Sequence, residues 1–409
     1  MIEKLRSQKV AVVGMGKNNQ KLAEFLRKNR IAFDPIQDWK NADELIGKLD
    51  HYDVIFRTPG LPYLSQAIQQ AKSAGVEISS QTKLFFELCP APIIGITGTK
   101  GKGTTSSLIA KILQAAGKKT WLGGNIGTDP FEFLDDIDPS GIVVLELSSF
   151  QLQDLDQSPT IAVVLSVTPD HLNHHQSFEE YMQAKSNILS HQSPSEFAVL
   201  HSTLPDWFKQ SGAGKKIWIE PAEVRDYERK LLGEHNLDNI DAAKKVAEIL
   251  NIDESVIRKT VAEFEPLPHR LNPLRQVNGI AYIDDAFSTN VDPTIAAINS
   301  MTAPFVLIVG GHDKGLDFTK VGSAILASEN LKGLVVIGEV TDKILVASQG
   351  FKGKILTGAQ NMTEILDQAK SLAQPGDAIL FSPGTSSFDM FKNEFDRGQQ
   401  FVDLVNKSS

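Results

Sequence analysis

The residues best equipped for chemistry stand in one short run, Gly98-Thr99-Lys100-Gly101-Lys102-Gly103-Thr104. Wrapping an anion with backbone N–H groups requires glycine wherever a side chain would block the approach. A lysine then brings charge to the β and γ phosphates of a nucleotide, and a following hydroxyl can hold Mg²⁺. The run follows an apolar strand, Ile93 to Thr97, and precedes a helix expected over Ser106 to Ala116, so a phosphate would meet a helix N-terminus. It departs from the common phosphate loop. Two residues rather than four lie between Gly98 and the Gly101-Lys102 pair, and Gly103 separates Lys102 from Thr104. The competing reading is a glycine turn carrying a solvated lysine; the coincidence of strand, glycines, Lys and Thr favours the phosphate.

A Mg-nucleotide site takes oxygen ligands from neighbouring strand ends. The run Ile142-Val-Val-Leu-Glu146 reads as a strand closing on a carboxylate. A carboxylate in an apolar run is costly unless paired or metal-bound, although a hydrogen bond to a nearby turn would also serve. A second strand, Ile161 to Leu165, leads through Ser166 to Asp170 and His171. His171 is either a ligand for metal or substrate, or one more structural histidine beside His174 and His175. Lys185 lies in a helix expected from Ser177 to Ile188, on the face that carries Tyr181 and Ile188. On residue type alone it reads as a solvated lysine.

These residues need a scaffold, and the chain supplies the same one three times. A β-branched run meets glycines and then helical sequence at Lys9–Gly16, at Ile93–Thr105 and at Phe305–Gly315. Continuous apolar runs bounded by glycine read as buried parallel strands, and their alternation with helices predicts an α/β fold throughout. Ligands in such folds lie beyond the carboxyl ends of the strands. At the first unit, Gly14-Met15-Gly16-Lys17-Asn18 lacks the third glycine of a dinucleotide fingerprint, but a helix over Leu22 to Arg27 follows and Asp38 stands where a ribose-binding acid would. Simple packing explains this turn equally well. Arg57-Thr58-Pro59-Gly60 closes the next strand, Tyr52 to Phe56, on the same rim. In the last third, Tyr282-Ile283-Asp284-Asp285 ends a strand, Ser288-Thr289-Asn290 follows, and Pro293 is expected to open a helix. Ser382 to Asp389 is a hydroxyl-rich turn suited to carboxylates or phosphates, or to plain helix capping.

The 409 residues amount to between two and three domains at about 150 residues each. Proline-rich joints at Cys89-Pro90-Ala91-Pro92 and at Glu265-Pro266-Leu267-Pro268 divide them into residues 1–90, 91–266 and 267–409. Apolar stretches are far short of the roughly 20 residues a membrane helix needs, and the first residues, Met1 to Arg6, lack the long apolar core expected of a secretion signal. A single cysteine, Cys89, excludes an internal disulfide and suits a reducing compartment. The net charge of −9 argues against bulk nucleic-acid binding, so anionic ligands need local positive sites.

Taken together, the motifs resemble the Mur ligase family along nearly the whole chain. The resemblance rests on Gly98–Thr105, Gly123-Gly-Asn125-Ile-Gly127, Glu146-Leu-Ser-Ser-Phe-Gln151, Asp170-His171, Ala184-Lys185, Gly233-Glu-His-Asn236, Leu267-Pro-His-Arg270, Gly310-Gly-His-Asp-Lys314-Gly315 and Ser387–Asn393, in that order. It implies three domains: a Rossmann-like domain for UDP, a central P-loop ATPase domain with a parallel-rich sheet, and a Rossmann-like carboxyl-terminal domain for the amino acid and closure. It implies a cytoplasmic, monomeric enzyme of peptidoglycan precursor synthesis. ATP would phosphorylate the alanyl carboxylate of UDP-N-acetylmuramoyl-L-alanine, and the amine of D-glutamate would attack the acyl phosphate. Two Mg²⁺ ions would be held by Thr104 and Glu146, and by His171 and a carbamylated Lys185. The resemblance gives Gly98 to Thr104, with Lys102 foremost, the role of phosphate cradle. Asn236 and Asn239 fall at the adenine, Arg270 at the phosphates and Asp285 at the ribose. Lys17, Asn18, Asp38, Thr58 and Asn125 fall at the muramyl nucleotide, and Thr289, Lys314 and Ser387 at the incoming glutamate. Two positions depart from the pattern: Phe287 replaces a lysine, and Glu394 an aromatic that here follows one residue later as Phe395. Ligases altered in this region add L-glutamate, which makes such a variant the alternative. A folylpolyglutamate-type ligase shares the phosphate loop, but the unit at Gly14-Met15-Gly16 argues against it.

Overall fold

The computed structural model describes residues 1–171 and 174–408, with the side chain of Lys17 outside the described set. Three sheets form along the chain. The first contains β1 (Val10–Val13), β2 (Phe33–Ile36), β3 (Val54–Arg57) and β4 (Glu77–Ser80), all parallel, in the order β2-β1-β3-β4. The second contains β5 (Ile93–Thr97), β6 (Thr120–Gly124), β7 (Ile142–Glu146), β8 (Ile161–Val164), β9 (Phe197–Leu200) and β10 (Lys215–Trp218). These too are parallel, in the order β10-β9-β8-β5-β7-β6. The third contains β11 (Asn272–Val277), β12 (Ile280–Asp284), β13 (Phe305–Gly310), β14 (Leu331–Ile337), β15 (Lys354–Leu356) and β16 (Ala378–Phe381), in the order β11-β12-β16-β13-β14-β15. Only its edge strand β11 runs antiparallel.

The strands form where the sequence is apolar on both faces. Every residue of β1, β3, β5, β7, β8, β13 and β16 is buried, as helices covering both sides of a parallel sheet require. The two strand prolines, Pro35 and Pro273, lie on the edge strands β2 and β11, where a missing N–H breaks no ladder. All three glycine turns leave a strand with neighbours on both sides and connections diverging from it: β1, β5 and β13. Such switch points open the crevice in which α/β proteins hold ligands.

Two compact units contain these sheets. One comprises residues 1–227 and 238–261 and holds the first two sheets; the other comprises 228–237 and 262–409 and holds the third. Glu228–Leu237 thus packs with the third sheet, although a boundary at 266 would separate them. Several elements differ from their sequence-based bounds. The helix expected from Ser106 begins at Lys102, because Gly101 adopts a left-handed conformation as its N-cap (φ +85) and starts the helix inside the loop. The helix expected at Pro293 begins at Val291, capped by the Asn290 side chain. Pro293 is tolerated two residues in because first-turn N–H groups have no intrahelical acceptor.

In the second unit, helix Thr319–Ala327 crosses helix Thr341–Ala347 at Gly322, where a Cβ would fall 2.0 Å from the Ala347 carbonyl oxygen. Alanine is the better helix former by about 1 kcal/mol, but here it meets backbone that cannot step aside. Gly322→Ala should therefore destabilise by roughly 2 kcal/mol through overpacking, read as a lower urea midpoint.

Candidate functional site

The glycine loop after β5 is packed closely against its surroundings. Gly98 (φ +149) packs so closely that a Cβ would lie 2.8 Å from Leu165 Cβ, and a Cβ on Gly101 would lie 2.1 Å from Asn239 Oδ1. Thr99 Oγ1 donates to Thr168 O at 3.0 Å and contacts the Tyr181 hydroxyl at 3.1 Å, tying the loop to the exit of β8. Thr105 Oγ1 donates to the buried Asn239 amide oxygen at 3.1 Å. Lys102 Nζ curls back to the carbonyls of Gly98 and Thr99 at 3.2 and 3.1 Å. Thr104 sits partly exposed on the first helical turn.

Lys185 lies beneath this loop, 1% exposed. Its Nζ donates to Gly98 O at 2.8 Å and Thr97 Oγ1 at 3.4 Å, and sits 4.6 Å from the centre of the Tyr181 ring. The solvated reading of this lysine therefore fails: its helix, Phe178–Ser190, turns that face inward. Burial drives its pKa well below the ordinary value, Lys102 adds to the effect, and Asp170 and Glu146 oppose it. The burial favours the neutral amine over the ammonium. Glu146 closes β7, the strand beside β5; it is buried and accepts from Asn125 Nδ2 at 3.0 Å. Gly124 (φ +97) permits this approach, since a Cβ there would lie 2.3 Å from Glu146 O. Asp170 accepts from Lys100 at 3.1 Å and caps the His171 backbone N–H at 2.9 Å. Desolvation lowers the His171 pKa against the pull of Asp170, with Lys100, Lys185 and Lys102 lowering it further.

The rim of the first sheet gathers Gly14, Thr58 and Asp38. Thr58 N–H donates to Val13 O at 3.0 Å, and its methyl occupies the space over Gly14, leaving 2.7 Å for a Cβ. Asp38 is exposed just beyond β2, and the Asn18 carbonyl accepts from Gln81 at 2.8 Å. Of this group, the Lys17 side chain lies outside the described residues.

In the second unit, Arg270 projects from a strained turn. His269 and Leu271 on either side have positive φ (61 and 46), which costs about 1–3 kcal/mol each unless the surroundings impose it. Two carboxylates at the end of β12 do so. Asp284 meets His269 Nδ1 at 2.6 Å, and Asp285 accepts the Leu271 N–H at 3.0 Å. Asp285 also accepts from the hydroxyls of Ser288 and Ser382, and burial lifts its pKa to about 7 against those hydrogen bonds. Arg397 is fully buried and donates to Thr385 O and Ala286 O at 3.0 and 2.8 Å, joining the turns after β12 and β16. Ser387 is buried there, its hydroxyl without a hydrogen-bond partner among the described residues. Thr289 is partly exposed and Lys314 exposed. The departing residues meet each other: Phe287 packs edge-on against Phe395 at 4.5 Å, with the Arg270 guanidinium 5.7 Å from the Phe287 ring centre. Asn236 is buried and donates to Leu232 O at 2.7 Å, in this unit, whereas Asn239 belongs to the first.

Two family descriptions match the chain, "Mur ligase middle domain" over residues 96–220 and "Mur ligase, glutamate ligase domain" over residues 269–384. Similar proteins include the UDP-N-acetylmuramoylalanine--D-glutamate ligase of Acetivibrio thermocellus, 34% identical over 456 aligned residues that take in 99% of this chain and 97% of that one. The protein of that name from Symbiobacterium thermophilum is 34% identical across 98% of each chain. The chain belongs to the Mur ligase family. Among solved structures, MurF from Thermotoga maritima in complex with ADP matches with a TM-score of 0.61 at 19% identity, over 100% of this chain and 96% of that one. MurF from Acinetobacter baumannii matches with a TM-score of 0.63 at 16% identity, over 98% and 100%. These two likenesses show the fold.

Within this Mur ligase, the first unit brings together the glycine loop Gly98–Thr104, Glu146, Asn125, Asp170, His171, Lys185 and Asn239. Arg270, Asp285, Thr289, Lys314 and Ser387 collect around the strand ends of the third sheet. Sequence reasoning passed over two buried charged residues, Asp154 and Arg397, and gave the buried Tyr181 and His175 no role of their own. It read Arg57, fully buried, only as part of a rim. The available signal was a charged residue closing an apolar strand, the same cost that drew attention to Glu146.

Asp285 makes a testable pH effect. Its folded pKa of about 7 lies above the ordinary 3.8, so between these values the folded chain holds a proton that the unfolded chain has released. The stability it contributes is complete below the lower value and is lost as pH rises through the upper one. Asp285→Asn removes this titration. Its stability relative to wild type should improve by up to roughly 1 kcal/mol per pH unit across that window and level off above it, as read from urea midpoints.

Proposed function

We propose that this Mur ligase joins D-glutamate to UDP-N-acetylmuramoyl-L-alanine while ATP is cleaved to ADP and phosphate. The observation that carries the reading is the glycine loop floored by buried Lys185 with Glu146 on the adjoining strand, in a chain similar from end to end to relatives of that name. A carboxylate is a poor electrophile. Transfer of the γ-phosphoryl group breaks its bond to ADP and forms an acyl phosphate; the glutamate amine then bonds to the acyl carbon, loses a proton and expels phosphate.

In this reading the backbone N–H groups from Gly98 to Thr104 and the Lys102 ammonium hold the phosphates, oriented by the helix N-terminus. Asn236 and Asn239 serve the adenine, Arg270 the phosphates and Asp285 the ribose side. Asp285 is engaged by three donors, so it would act there largely by holding the Arg270 turn. Lys17, Asn18, Asp38, Thr58 and Asn125 serve the muramyl nucleotide, and Thr289, Lys314 and Ser387 the glutamate. Mg²⁺ fits the donor set: Glu146 is a buried carboxylate whose hydrogen-bond donor is a neutral amide, and Mg²⁺ characteristically binds through one or two carboxylates plus phosphate oxygens. Thr104 and Glu146 would hold one ion, and His171 with carbamylated Lys185 a second; they would neutralise charge as anionic carboxylate meets anionic phosphate. The suppressed basicity of Lys185 supports carbamylation, since only the neutral amine bonds to CO₂, losing a proton as it does. The proposal includes three domains, 1–90, 91–266 and 267–409, acting as a cytoplasmic monomer with neither nucleic acid nor membrane as partner. Among the described residues no helix is long and apolar enough to cross a membrane.

Coupled phosphate release measures the reading directly. Release should require both UDP-N-acetylmuramoyl-L-alanine and D-glutamate; indifference to both would end the proposal. Preference for L-glutamate would instead select the variant suggested by Phe287 and Glu394, and stimulation by a folate in place of the nucleotide would select the folate-type ligase. Lys185→Ala should lower turnover by about 10²-fold or more, and wild-type activity in CO₂-depleted buffer should fall and return with bicarbonate.

A further inference from the structure

A buried ion pair outside the phosphate loop joins the first two sheets. Arg57, at the end of β3, and Asp154 have side chains each 1% exposed. Arg57 Nε and Nη2 donate to the two Asp154 oxygens at 2.9 and 3.0 Å, Nη2 donates to Phe150 O at 2.6 Å, and Nη1 to Leu61 O at 2.9 Å. The planar fork is thus fully engaged, a geometry lysine cannot reproduce. Buried pairs of this kind are often no more stabilising than apolar packing of equal volume. Their best-attested use is to fix register, so the question is what Arg57 registers.

On one side lies the Thr58–Leu61 turn at the rim of the first sheet, where the Tyr63 N–H also reaches Gln153 Oε1 at 3.4 Å. On the other lies the short helix Ser149–Leu152, which begins three residues after Glu146. Its Phe150 ring packs 5.1 Å from His171 and stacks on His175 at 5.3 Å. Its Ser149 hydroxyl meets His175 Nε2 at 3.0 Å, and its Leu152 carbonyl accepts from Asn187, two residues beyond Lys185, at 3.0 Å. One segment therefore touches the groups around His171 and the helix of Lys185, and Arg57 sets where that segment stands against the first sheet.

We propose that Arg57 and Asp154 are positioning residues for the ligation, holding the nucleotide rim at a fixed distance from the phosphate-transfer groups. The inference rests on the ligase reading above. The nucleotide's carboxylate must sit about 3–3.5 Å from the γ-phosphorus, and a misplacement of about 1 Å can cost 10²-fold.

The test compares wild type, Arg57→Lys and the apolar double variant Arg57→Met/Asp154→Leu in the phosphate-release assay, alongside thermal melting. In the double variant, melting should stay near wild type, whereas kcat should fall by about tenfold or more and KM for the muramyl nucleotide should rise, with KM for ATP within about twofold. A merely structural pair would leave these constants unmoved well below the melting temperature. If the double variant does not fold, Arg57→Lys decides by the same split between the two KM values. Variants with wild-type constants overturn the inference alone. Absence of nucleotide- and glutamate-dependent release from the wild-type protein removes the ligase reading and this inference with it.

Discussion

The amine of Lys185, buried against the carbonyl of Gly98, is the contact on which the glycine loop depends. It places a basic group under a loop whose own backbone is already committed to left-handed glycines. Burying an ammonium beside Lys102 is costly, and the chain answers with a suppressed pKa, the Tyr181 face and the carboxylates Glu146 and Asp170 at neighbouring strand ends. Tyr181 and Asn239 brace the loop from either side through Thr99 and Thr105. With the floor fixed, the helix from Lys102 can begin inside the loop and aim its N-terminus at an anion.

The same economy of charge explains how an acidic chain can serve anionic ligands. A net charge of −9 says little about a site where Lys100, Lys102 and Lys185 converge. In the second unit, Arg270 is presented by a turn in unfavourable backbone geometry, and the strain is offset by Asp284 and Asp285 below it. Burial lifts Asp285 to about 7, which lessens the negative charge beneath the Arg270 turn.

Much of this was legible in the residues. The three strand–glycine–helix units stand where they were read because buried parallel strands need apolar side chains on both faces, which leaves a continuous run. Glu146 was legible because a carboxylate in such a run needs a reason. The loop after β5 was legible from its glycines, and the structure shows what two of them avoid: Leu165 at Gly98 and Asn239 at Gly101. Lys185 was not legible by residue type, since a lysine on a helix is ordinarily solvated; the face it shares with Tyr181 and Ile188 pointed inward, and the resemblance gave that face a reason. Arg57 and Asp154 stand 97 positions apart, and no local pattern announces such a pairing. The packing of Glu228–Leu237 with the third sheet was likewise invisible, because the proline joint at 266 marks a change of local structure and not of contact.

The sequence alone determined the α/β class, the strands and the short-range chemistry, because periodicity, glycine and proline act within a few residues of themselves. It also determined the family, through the order of many short motifs. Tertiary structure alone decided which polar groups are buried, which carboxylate meets which base, and that Phe287 packs on Phe395 where the family pattern has a lysine and an earlier aromatic. Burial and pairing are properties of segments brought together from distant parts of the chain. Desolvation, which lowers the pKa of Lys185 and raises that of Asp285, exists only once they are.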